Sequence, residues 1–129
     1  MKNLLKILLV LGILLTGSLS LNAKEIYLSQ QTTKDYSVHV KVYDDLKLGD
    51  NEFNVKILYK TKSLDGVNVN LKLYKPNGEI VEYKSNTIND KRNYTFDVKL
   101  IEKGQYKYLI TYNVMTGRVT RDSKGSFEL

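Results

Sequence analysis

The sequence predicts an all-β fold, an antiparallel β-sandwich of about seven short strands. Three observations predict it. Apolar residues alternate with polar ones almost everywhere after residue 23, as strands with one packed and one wet face do. Turn signals punctuate the chain at roughly 8–12 residue intervals. No stretch after residue 23 shows a convincing 3.6-residue period, so helices have no apolar stripe to bury.

The elements follow in order. "YSVHVKVYD" places Tyr36, Val38, Val40 and Val42 on one face and Ser37, His39, Lys41 and Tyr43 on the other. Gly49-Asp50-Asn51 turns the chain. "EFNVKILYK" sends Phe53, Val55, Ile57 and Tyr59 inward, with Asn54, Lys56 and Lys60 outward. A turn ending at Gly66 leads to "VNVNLKLY", where Val67, Val69, Leu71 and Leu73 oppose Asn68, Asn70, Lys72 and Tyr74. "KPNG" sets proline at the second position of a type I turn and glycine at the fourth. "EIVEYKS" is a shorter strand, and "NTINDKRN" is a polar loop. "YTFDVKL" alternates again, with Tyr94, Phe96, Val98 and Leu100 on one side. "QYKYLITYNV" carries Tyr106, Tyr108, Ile110, Tyr112 and Val114 on one face. After the turn at "MTG", "RVTRDSKGSFEL" closes the chain, with an interruption expected near Ser123 to Gly125.

The tyrosines of "QYKYLITYNV" are either a stacking platform or part of the interior. The other face of that strand reads Gln105, Lys107, Leu109, Thr111 and Asn113, which is a solvent face with one apolar exception. A platform would need a second apolar face for the core, so the tyrosines belong inside, with hydroxyls reaching the rim or a carbonyl. Tyr43 and Tyr74 fall on polar faces and are the candidates for exposed aromatic contacts.

Lys2 and Lys6, the run "ILLVLGILL" and small residues ending at Ala23 have the order of a secretory signal peptide. The apolar run is short of the ~18–20 residues of a membrane anchor. The expected organisation is a signal peptide over 1–23 and one sandwich domain over 24–129, exported to the periplasm or secreted, with no stable membrane span after cleavage. Without Lys2 and Lys6 the formal charge falls from +6 to +4. Lysines and acids are interspersed along the chain, which predicts a solvated cationic surface and no nucleic-acid stripe. There is no cysteine, so stability rests on packing.

"EKGQYKY" resembles the corner motif of immunoglobulin-like domains, in which an acid, a glycine and a tyrosine precede a cysteine at spacing D-x-G-x-Y-x-C. Glu102, Gly104 and Tyr106 take the first three places, and Tyr108 stands where the cysteine would be. The resemblance implies that the Tyr106 hydroxyl bonds back to the chain just upstream.

The chemical inventory is thin. His39 is the one histidine, which excludes two-histidine metal cages and H-E-x-x-H. There is no thiol nucleophile and no G-x-S-x-G elbow. A serine triad would have to recruit His39 from mid-strand. Asp44, Asp45, Asp50 and Glu52 surround one turn, readable as a hard-cation site or as a solvated turn. His39 and Met115 suit copper by ligand type, though a strand-face histidine and a turn methionine are more often simply surface residues.

From Tyr36 to Leu129 the chain resembles the YtkA-like domain family, on "LKLGDNEFNVKI", "LDGVNVNLKLYKPNG" and "EKGQYKYLITYNVMTG". The resemblance implies a small exported immunoglobulin-like sandwich associated with copper handling and cytochrome oxidase assembly. The reading is therefore a non-enzymatic envelope binding or accessory domain with no cofactor, recognising an envelope protein, or less readily a carbohydrate, by sheet edge and loops. The alternative is a periplasmic copper carrier using His39 and Met115.

Overall fold

The computed structural model describes residues 24–114 and 118–129. The expected signal peptide and Met115 lie outside the described residues. Among those residues, no helix is long and apolar enough to cross a membrane.

The described residues form nine strands: β1 (Ile26–Thr33), β2 (Tyr36–Val42), β3 (Gly49–Tyr59), β4 (Lys62–Ser63), β5 (Val69–Tyr74), β6 (Ile80–Ser85), β7 (Tyr94–Leu100), β8 (Gln105–Val114) and β9 (Val119–Glu128). One sheet runs β1-β2-β3, with β4 and β7 both paired to β3. The other runs β6-β5-β8-β9. All pairings are antiparallel. The two sheets face each other as an immunoglobulin-like sandwich.

The alternation read from the sequence places the core. Val38, Val40, Phe53, Val55, Ile57, Tyr94 and Phe96 from one sheet meet Leu71, Leu73, Tyr106, Tyr108, Ile110 and Phe127 from the other, all buried. Such burial contributes roughly 25 cal/mol per Å² of apolar surface removed from water. The late-hairpin tyrosines lie inside: Tyr106 is 0% exposed, and Tyr108 and Tyr112 are each 2% exposed.

The expected turn at Gly49-Asp50-Asn51 is instead the start of β3, paired with β7 from Leu100 to Val98, and the two-residue β4 lies beyond the expected strands. Two further elements depart from the sequence expectation. The strand β1 was not expected. A bulge between Tyr27 and Ser29 shifts its register, after which its core-side positions are the polar Ser29 and Gln31, so no apolar alternation marks it. It borders β9 through side chains. Ser29 Oγ accepts from the Tyr108 hydroxyl at 2.6 Å. Ser123 Oγ and the Lys124 amide donate to Gln31 Oε1 at 2.6 and 3.1 Å. The second of these is β9, which runs unbroken through Ser123 to Gly125. Gly125 pairs with Tyr108, and a Cβ there would lie 2.2 Å from the end of the Tyr108 ring. Glycine is present because the ring crosses the strand at that point, with no break in pairing.

The corner between β7 and β8 forms as the motif implies. The Tyr106 hydroxyl donates to the Glu102 carbonyl at 2.5 Å. Gly104 has φ +137°, and a Cβ on it would press on Pro76 at 2.9 Å. Its N–H and C=O exchange 3.0 Å bonds with Leu129, tying the chain end to the corner. The Tyr106 ring stacks on Phe127, centroids 5.0 Å apart. Tyr106→Phe keeps the stack and removes the bond, so a loss of about 1 kcal/mol is expected in chemical denaturation. An unchanged midpoint would mean that the corner is held without this hydroxyl.

Candidate functional site

With the core sealed, function has to lie on the outer faces, ends and edges. The outer face of the first sheet carries His39. It pairs across with Gln30 and Lys56, and Tyr27 stands edge-on at 5.8 Å. Burial first, then the ammonium groups of Lys41 and Lys56, holds its imidazole below the usual range, so the ring is neutral at pH 7. Neutrality suits a metal ligand, but the two neighbouring cations oppose a third.

Lys41 is almost buried at 5% exposure, although its position alternates outward. Its ammonium pairs with Glu25 at 3.3 Å and sits 5.5 Å from the Tyr27 ring centre and 5.8 Å from that of Tyr43. Burial alone would lower its pKa; Tyr43 and Glu25 reverse the sign and raise it. This cluster is a satisfied ion pair under two rings.

Tyr43 and Tyr74, expected to be exposed contacts, are both half-buried. Tyr43 lies across the sheet beneath the Lys91 ammonium at 4.9 Å, and its hydroxyl accepts from Asn93 Nδ2 at 3.3 Å. Tyr74 sits in register between Ile80 and Lys107. Packing by long neighbours covers both. The exposed rings are Tyr27 at 45% and Tyr59 at 39%. Tyr59 was expected inside; at the end of β3 it leans on Tyr36 instead, centroids 4.9 Å apart.

Of the metal candidates, His39 lies on the outer face of the first sheet, and Met115 lies outside the described residues. The acidic turn holds a cleft of about 90 Å³ bordered by Asp44, Asp45, Asp50 and Glu52. Asp45 pairs with Lys24 at 3.0 Å. Among the described residues, no group of three or more His, Asp or Glu side chains is arranged to hold a metal ion.

A wider concavity than the acidic cleft lies on the outer face of the second sheet. It is a groove of about 510 Å³, within the size range of small-ligand sites. The central strand β5 and the residues before it supply Asn68 and Asn70. Thr111 and Asn113 come from β8, and Lys84, Ser85 and Asn86 from the end of β6. Register explains the convergence, since Asn70 pairs with Lys84 on one side and Thr111 on the other, while the backbone N–H of Asn113 donates to the backbone carbonyl of Asn68 at 3.3 Å. Asn70 Oδ1 is buried with no hydrogen-bond partner. The Oδ1 atoms of Asn86 and Asn113 accept from Thr87 and Thr120 at 3.0 and 3.1 Å, which leaves their Nδ2 groups as donors. Sequence reasoning did not pick out this site. Its signal was visible in asparagines at alternate positions of two strands, 68 and 70, and 113 beside Thr111.

No family model matches the chain, and no curated protein matches it in sequence. Solved structures do resemble its fold. One is FetP of uropathogenic Escherichia coli strain F11, as isolated after expression in the E. coli periplasm. Its TM-score is 0.65 at 13% identity, over 84% of this chain and 97% of that one. A copper-bound variant of the same FetP gives a TM-score of 0.66 at 11% identity, over 81% and 97%. At such identity the likeness establishes the sandwich and carries no residue role across.

Proposed function

We propose that this chain is an exported, non-catalytic binding domain of the cell envelope whose binding face is the amide-lined groove on the β6-β5-β8-β9 sheet. The groove itself carries the reading: within about 510 Å³, four asparagines from separate parts of the chain converge. The leader-like first 23 residues support export, as does the fold shared with a protein expressed in the periplasm. The YtkA-like resemblance of the turns agrees with an envelope role. The test is photo-crosslinking in envelope extract with p-benzoylphenylalanine in place of Thr111, or in place of Lys99 on the opposite sheet. Adducts specific to position 111 are expected; equal labelling from both positions would count against the groove.

A second reading has one observation behind it, the fold shared with a copper-bound protein. In that reading the chain handles copper in the periplasm through His39, with Met115 as the second ligand. Calorimetric titration of residues 24–129 with Cu(II) tests it. Saturable one-to-one binding lost in His39→Ala supports a carrier, and binding that is absent or indifferent to that substitution removes it.

A further inference from the structure

We infer that the groove takes a neutral saccharide, held by side-chain amides. The inference rests on the groove being the binding face, and the composition of its walls supplies the ligand class. Asn86 and Asn113 present Nδ2 donors, their Oδ1 atoms being bonded to threonines. Vicinal sugar hydroxyls, each both donor and acceptor, are complementary to such groups.

The competing ligand classes fit less well. Lys84 is the single cation among the lining residues, and no ring lies there for a base to stack on, whereas nucleic acids and polyanions call for several cations or aromatic platforms. The walls contain no carboxylate or imidazole, so a bare divalent ion would meet no charged ligand. Val69 is the one apolar residue, and it points into the core at 1% exposure, so the apolar surface of the groove comes from the stems of polar side chains. A peptide is bound most readily as an added strand on a sheet edge. Here β5 is paired along its length with β6 on one side and β8 on the other, so its backbone is already satisfied. Recognition at this place runs through side chains alone, which suits a ligand dense in hydroxyls around its periphery. The volume of about 510 Å³ leaves room for a short oligosaccharide.

The experiment is a nitrogen-15 NMR titration of residues 24–129, a span that contains every core residue from Val38 to Phe127. The probes are chitotriose, maltotriose and cellotriose, with tetraglycine and sodium phosphate alongside, and the readout is the side-chain NH₂ signals of Asn68, Asn70, Asn86 and Asn113. At least one trisaccharide should shift these signals saturably, while signals on the first sheet stay still. Asn113→Ala should weaken that binding about fivefold, the loss of one hydrogen bond. Asn70→Gln, which keeps the amide but moves it by one methylene, should weaken it as well while the protein stays folded. Shifts with tetraglycine or phosphate and none with the sugars would overturn the saccharide and leave the groove as a site for another class. Silence with all five probes would overturn both.

Discussion

Gly125→Ala should be among the most destabilising single-methyl additions in this protein, by about 3 kcal/mol. The reason is local. Tyr108 pairs with Gly125, and its ring crosses β9 where a side chain would otherwise stand, with the new carbon 2.2 Å from both Cζ and the hydroxyl oxygen. The ring cannot easily yield. Its hydroxyl is bonded to Ser29, Phe53 meets it edge-on at 6.5 Å, and Phe127 lies at 6.3 Å. Burial pushes its pKa up to about 12, partly offset by the Ser29 bond. At roughly 4–8 °C per kcal/mol for a domain near this size, Tm should fall by more than about 10 °C. Tyr108→Leu should cost stability by itself, yet combined with Gly125→Ala the two losses should sum to less than their separate values by at least about 1 kcal/mol. Additive losses would mean that the ring and the glycine do not compete for the same space. The same geometry explains how a cysteine-free sandwich is held across its layers. The tyrosine in the cysteine position of the corner motif reaches from one sheet to β1 of the other.

Tyr94 should show the second large effect, in two stages. Its hydroxyl donates to the Leu64 carbonyl at 2.6 Å and accepts from the Val67 amide at 3.1 Å, so one side chain anchors the crossing from β4 to β5. Tyr94→Phe removes both bonds and keeps the ring, for an expected loss of about 2 kcal/mol. Tyr94→Ala also empties a fully buried site, for an expected total of about 4–5 kcal/mol. Hydrogen exchange separates the stages: in Tyr94→Phe the Val67 amide should exchange faster relative to Val55 than in the unsubstituted protein. Unchanged Val67 protection would show that the crossing is held by other contacts.

Much of this architecture was legible because alternation sets which face a residue takes. It placed Val38, Phe53, Leu71, Phe96 and the tyrosines of β8 on the buried side. It could not give depth. Lys41 and Asn54 alternate outward yet are 5% and 1% exposed, because Tyr27, Tyr43 and Glu25 cover the first and the second sits on the central strand β3. Nor could it find β1, whose core-side serine and glutamine are satisfied by partners 79 and 92 residues away. Gly125 suggested a broken strand, since a glycine making room for a ring looks the same in sequence as one that bends the chain. The groove needed register: Asn68 and Asn70 were visible as a polar face, but only strand pairing sets them against Thr111, Asn113 and Lys84.

The account depends above all on the late tyrosines being core, which leaves the outer sheet faces free to bind. Nitration by tetranitromethane, mapped by mass spectrometry on the folded protein, tests this residue by residue. Tyr27 and Tyr59 should be modified first, while Tyr94, Tyr106, Tyr108 and Tyr112 stay unmodified until denaturant is added. Nitration of Tyr106 or Tyr108 in the native protein at the rate of Tyr27 would contradict the account.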